Sequence, residues 1–240
     1  MKTRRLGIDF TRGLAVLAMV LFHFSWDWSY QVVPLVGLPV SYWQIVPDMI
    51  GGTFFWVSGM SQILSPKDPL REGAKIFGWG MVLTLVSLIY SPNGPIFFGV
   101  LHSIGVTKIL NRSFKRWSLL LRFLLGIAAI GFGFWLRNLQ FTGTWSYFLI
   151  WIGFRPNPIP IMADYYPLLP DIGYFWLGSC LASALYSKKK SAKPNARPQP
   201  ARLEKPIFKP VLWCGKHALT IYIVHQPILF GLTALIAKMR

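Results

Sequence analysis

Charge is scarce in this chain. Of 240 residues only 14% are Asp, Glu, Lys or Arg, and the acidic ones number 8. A soluble domain carries about 25% charged residues, so a water-soluble globule is excluded. Cysteine is nearly missing too: Cys180 and Cys214 lie in apolar stretches without metal-ligand spacing, which excludes a disulfide scaffold and a zinc site. No internal repeat is present, and the 53% hydrophobic content excludes disorder and fibrous sequence. What the chain has instead is long apolar runs, 16% aromatic residues with 11 Trp, and a net charge of +17. These features define an integral membrane protein, all-α, of the polytopic transmembrane-bundle class.

A helix needs roughly 20 mostly apolar residues to cross the ~30 Å hydrocarbon core. Seven candidate spans meet or approach this: Gly13 to Val33, Gln44 to Leu64, Gly73 to Tyr90, the short Ile96 to Leu110, Ser118 to Leu136, Pro167 to Tyr186 and Val211 to Ile236. Trp145 to Phe154, followed by a Pro-rich stretch, is too short to cross and reads as a re-entrant or interfacial segment, with an eighth span as the alternative. The whole chain, 1–240, reads as one membrane-embedded domain. Within it, residues 187–210, rich in Lys, Pro and Ala, read as a flexible basic cytoplasmic loop.

The basic residues give direction. They gather before the first span (Lys2, Arg4, Arg5, Arg12), after the second, around the link between the fourth and fifth, and between the last two. Only Arg137, Arg155, Lys238 and Arg240 fall on the other side. The positive-inside rule places the N-terminus in the cytoplasm and the C-terminus outside, which favours an odd number of spans. The basicity is thus a topology signal, and nucleic acid is not the expected partner. The first apolar run continues to Val33 without a small-residue cleavage site, so it is expected to be a retained helix.

Ionisable residues inside spans cost on the order of 2.5–3.5 kcal/mol each and are functional candidates. Arg12 and His23 are eleven residues apart, which puts them within about 20° of one helix face with His23 roughly 16 Å deeper. Asp9 precedes Arg12 by one turn, and Asp27 follows His23 by one turn. A polar stripe of this kind must line a cavity or a protein interior. Counting depth along the other spans brings Asp48, His102 and His225 to the level of His23 and Asp27, between the midplane and the outer third, as a candidate shared site. The plainer readings are that His102 and His225 are interhelical hydrogen-bond partners, Asp48 an interfacial cap, Trp26 and Trp28 part of an aromatic belt, and Lys216 and His217 surface groups at the cytoplasmic start of the last span.

Four segments resemble a known family. They are Arg5-Leu6-Gly7-Ile8-Asp9-Phe10-Thr11-Arg12-Gly13-Leu14-Ala15 with the following Met19 to His23, Phe55-Trp56-Val57-Ser58-Gly59, Phe97-Phe98-Gly99-Val100-Leu101-His102-Ser103-Ile104-Gly105, and Gly215-Lys216-His217-Ala218-Leu219-Thr220-Ile221-Tyr222-Ile223-Val224-His225-Gln226-Pro227. Together they resemble the catalytic domain of heparan-alpha-glucosaminide N-acetyltransferase and its small bacterial relatives. The Arg12-to-His23 spacing also resembles acyltransferase family three. Ala218 stands where relatives usually carry Ser.

The resemblance implies acyl transfer across a membrane, from cytoplasmic acetyl-CoA to a hydroxyl or amine of an extracytoplasmic glycan or amino sugar, in the bacterial inner membrane. Arg5, Arg12, Lys216 and His217 are the expected contacts for the phosphates of coenzyme A. His23 is the expected base, with Asp27 fixing its tautomer and stabilising the imidazolium, or the site of an acyl-His intermediate. His102 and His225 are expected to polarise the thioester carbonyl or bind the acceptor. Asp48, Tyr222 and Gln226 are the candidate acceptor contacts. No metal is expected, and a homo-oligomer is allowed. The rival readings are a His-ligated haem or metal protein and a proton-coupled transporter using His and Asp as a relay.

Overall fold

A computed structural model describes residues 5–35, 37–187, 203 and 205–239. Lys2, Arg4, Arg240 and most of the expected 187–210 loop, including Lys188 to Lys190, Lys193, Arg197 and Arg202, lie outside the described residues. The described chain is all-helical: α1 Leu6–Gln31, α2 Val40–Leu64, α3 Pro69–Tyr90, α4 Val100–Leu110, α5 Leu119–Arg137, a one-turn α6 Trp145–Phe148, α7 Leu168–Ser187, α8 Lys209–Lys216 and α9 Ala218–Lys238. Five of these, α1, α3, α5, α7 and α9, are long and apolar enough to cross a membrane. The 25-residue α2 has the length, but Gln44, Pro47 and Asp48 dilute its apolar surface.

Two expected spans differ from what forms. The fourth begins only at Val100, after Pro95 and the extended Gly99, and its 11 residues rise about 16 Å, half a membrane. The last is not one helix: it breaks at His217 (φ −106°, ψ 19°) into α8 and α9. Trp145–Phe154 stays short of a span, as expected, and forms one helical turn followed by turns, with an isolated bridge from Phe141 to Pro156.

Local chemistry sets the helix starts. Asp68 caps α3 by accepting from Leu70 N (3.3 Å), with Pro69 in the first turn. Ser118 caps α5 by accepting from Leu121 N (3.1 Å). Asp164, in a loop, accepts from Val100 N (3.3 Å) at the head of α4. In α7 Leu169 is extended (φ −103°, ψ 128°), as the residue before a proline tends to be.

The described residues group into two compact units, drawn from Met1–Phe54 with Ala192–Arg240 and from Phe55–Ser191. In the first, α1 packs along α8 and α9, and its core joins Met19, Phe22 and Ile50 with Tyr42, Trp43, Val46, Phe54 and Tyr222. In the second, α5 pairs with α7 and α3 with α4. The segment between α5 and α7 is tied by its own polar groups: Arg155 donates to the Arg137 carbonyl (3.1 Å), Tyr147 to that of Pro158 (3.0 Å) and Tyr165 to that of Ile150 (2.6 Å). Burial pushes the Tyr165 phenol up to about 12.

Candidate active site

The stripe read from α1 is real, and α8 and α9 meet it. Gly13 and Gly215 permit the approach: a Cβ on Gly215 would run into the Asp9 carbonyl, and one on Gly13 into the Val211 carbonyl. At this crossing Arg12 donates to Asp9 Oδ1 (3.2 Å) and to the Gly215 carbonyl (3.4 Å). The guanidinium therefore serves one of the carbonyls left over where α8 ends, the usual part of a cation at a helix C-terminus. Arg5 carries the entry to α1, its carbonyl accepting from Ile8 N and Asp9 N. At the break itself Lys216, the last residue of α8, and His217 are exposed. The His217 ring lies 4.5 Å from the Trp213 ring, with Nδ1 on the Trp213 carbonyl (2.9 Å).

Further along the same face the structure brings His23, Asp27, Tyr222, His225 and Gln226 together. The His23 and His225 rings meet edge to face with centroids 4.8 Å apart. His23 Nδ1 bonds the Met19 carbonyl (2.9 Å), and His225 Nδ1 bonds the Tyr222 carbonyl (2.7 Å). A carbonyl oxygen only accepts, so in each ring Nδ1 carries the proton. The neutral form then presents Nε2 as a lone pair. His225 is buried, and its Nε2 has no hydrogen-bond partner; His23 is half-exposed.

Asp27 does not hold His23 as expected. Its two oxygens accept from Gln226 Nε2 (3.1 and 3.2 Å), and main-chain carbonyls fix both histidine tautomers. A helix provides this bond at short range, because a histidine's Nδ1 can return to the carbonyl three or four residues back. Asp27 is buried and lies one turn from His23. Gln226 uses its amide nitrogen on Asp27, and its Oε1 is buried without a partner.

Asp48 lies half-buried in the first unit, directly after Pro47 of α2. His102 belongs to the second unit and has a complete set of partners there. Its Nδ1 accepts from Gly99 N (3.2 Å), so Nε2 carries the proton toward Thr84 Oγ1 (3.2 Å), which itself donates to the Ile96 carbonyl (2.6 Å). The rings of Phe77 and Phe98 bracket it, and Gly80 leaves room for the imidazole, 3.0 Å from where a Cβ would stand. It is 1% exposed, with both ring nitrogens engaged.

Reading the sequence missed the main-chain carbonyls of Met19 and Tyr222 and the paired glycines Gly13 and Gly215. Only the glycines left a signal, since each adjoins a candidate cation in an otherwise bulky helix. Among the described residues no group of three or more His, Cys, Asp or Glu comes together as a metal site.

No curated protein and no solved structure matches the chain. The family model described as heparan-alpha-glucosaminide N-acetyltransferase, catalytic, matches residues 4–227. That stretch takes in the Arg12 crossing, the histidine pair and Gln226, and ends just beyond them. With this match over nearly its whole length and with apolar helices fit to span a bilayer, the chain belongs to the heparan-alpha-glucosaminide N-acetyltransferase catalytic family of membrane-embedded acetyltransferases.

Proposed function

We propose that this protein, as one catalytic domain, moves an acetyl group from cytoplasmic acetyl-CoA to a hydroxyl or amine of an extracytoplasmic glycan or amino sugar, with His23 as general base. The observation that carries the reading is the histidine pair, two rings from opposite ends of the chain whose Nδ1 atoms are held by carbonyls while Nε2 is left for a ligand. His23 is the more accessible ring and takes the acceptor's proton as its oxygen or nitrogen attacks the thioester carbonyl. The carbon–sulfur bond then breaks, the acetyl group stays on the acceptor, and the proton on His23 passes to the departing CoA thiolate. Asp27 favours the imidazolium during this exchange. His225 Nε2 and Gln226 Oε1, both buried acceptors, orient the acceptor's donor groups.

The donor enters at the Arg12 end, which the positive-inside rule puts in the cytoplasm. Arg5, Lys216 and His217 offer charge and donors to its phosphates, and Arg12 holds the α8–α9 break that presents them. The test is transfer of a radiolabelled acetyl group from acetyl-CoA to a panel of sugars by the purified protein in lipid nanodiscs. Label moving to a sugar in the wild type, and not in His23→Gln, is the expected result. Equal labelling by both proteins would remove His23 from the mechanism.

A further inference from the structure

On the outer-facing side of this chemistry, as the proposed orientation has it, the first unit carries a shallow cleft of about 220 Å³ lined by Trp26, Ser29, Tyr30 and Trp43. It is smaller than the ~300–1,000 Å³ typical of pockets for drug-sized ligands, which suits a single ring. Trp26 and Tyr30 are 51% and 82% exposed. The Trp26 and Trp43 indoles stand nearly perpendicular, 5.3 Å apart at 78°, and form an aromatic corner. Ser29 Oγ accepts from Leu35 N (3.2 Å), so its proton is available to donate.

The walls are therefore mixed, with aromatic faces beside hydroxyl groups. A pyranose ring has the matching surface: one face of C–H groups, slightly positive and suited to the negative face of an indole, edged by hydroxyls. A lipid acyl chain has no use for the polar groups. A chain of ring contacts links the cleft to the histidines. Trp26 is one turn along α1 from His23, and Trp43 packs on Phe22 (5.8 Å), which packs on His23 (5.6 Å).

We infer that the Trp26–Trp43 corner is a sugar-stacking subsite that holds the ring next to the one being acetylated, so that the enzyme selects acceptors of two or more linked sugars. The inference rests on the acetyl-transfer reading for its purpose, though not for its detection.

Saturation-transfer NMR in lipid nanodiscs tests binding without turnover, with cellobiose as the probe and methyl β-glucoside as its one-ring counterpart. Nanodiscs are required because the head groups of alkyl maltosides are themselves stacking sugars. Wild-type protein should pass saturation to the ring protons of cellobiose, Trp26→Ala should not, and Trp26→Phe, which keeps a ring, should retain part of the signal and serves if the alanine variant fails to fold. In turnover, Trp26→Ala should raise KM for a two-ring acceptor about ten-fold, with the effect in KM rather than kcat. A lower Tm with an unaltered cellobiose signal would show an aromatic-belt residue only and overturn the subsite, as would a folded wild type that passes no saturation. Cellobiose binding that depends on Trp26 in a protein that acetylates no sugar would sustain the subsite and sink the acetyl-transfer reading instead.

Discussion

In the unit that joins the two ends of the chain, His23 and His225 put Nδ1 on main-chain carbonyls and keep Nε2 for a ligand. In the other unit, His102 has Nδ1 filled by a backbone N–H and Nε2 by Thr84. All three are membrane-helix histidines in apolar, aromatic surroundings, and depth along the sequence ranks them alike. The partner of Nδ1 separates them. An acceptor there makes Nε2 a base, whereas a donor makes Nε2–H a donor that a neighbouring hydroxyl then occupies. Burial alone does not set how a ring is satisfied: His102 and His225 are both buried, yet only His225 leaves Nε2 without a partner.

The largest expected effect tests the reactive side of this contrast. His23→Gln keeps volume and polarity but cannot take a proton, and should lower acetyl-transfer turnover by ~10²–10⁴-fold while the protein still folds and binds acetyl-CoA. Near wild-type turnover would hand the base to His225. Next comes Arg12→Ala, which removes the ties to Asp9 and the Gly215 carbonyl. Loosening the break that presents Lys216 and His217 should weaken acetyl-CoA binding about ten-fold, read by calorimetry. Unchanged affinity in a folded variant would detach the α8–α9 break from donor binding.

The second unit makes smaller demands. His102→Leu strands the Gly99 N–H and should cost about 1–3 kcal/mol, seen as a lower Tm, with kcat of the folded fraction held. A fall in kcat at constant Tm would erase the distinction between the units. Smallest is Tyr165→Phe, which removes the bond to Ile150 and should cost about 1 kcal/mol. Because the folded-state value of this phenol is raised to about 12, the stability it contributes is fully present below its ordinary value near 10 and is lost as pH rises through 12. Alkaline melts of the phenylalanine variant should be flatter over that window; an identical fall would clear Tyr165.

Much of this was legible beforehand because helical period and membrane cost are simple rules. Arg12 and His23 share a face, as eleven-residue spacing requires, and His225 and Gln226 came from a motif that keeps its polar residues in an apolar run. What the sequence could not reveal lies in the main chain. The carbonyls of Met19 and Tyr222 exist at every residue, and only the folded helix decides which one a histidine meets. Asp27 was matched to His23 by spacing, yet Gln226, distant in sequence, reaches it instead. The break at His217 was hidden by an apolar run that hydropathy reads as continuous, although Gly215-Lys216-His217 interrupts it. Depth along the sequence groups His102 with the other histidines, and its uncharged partners, Gly99 and Thr84, leave no mark in the sequence.

The contact between His23 and His225 also bears on when the enzyme comes into being. One ring belongs to α1 and the other to α9, so the pair forms only after the helices between them have been made and α9 has docked on α1. A chain that stops before α9 lacks the pair, so the proposed transfer waits on the docking of α9.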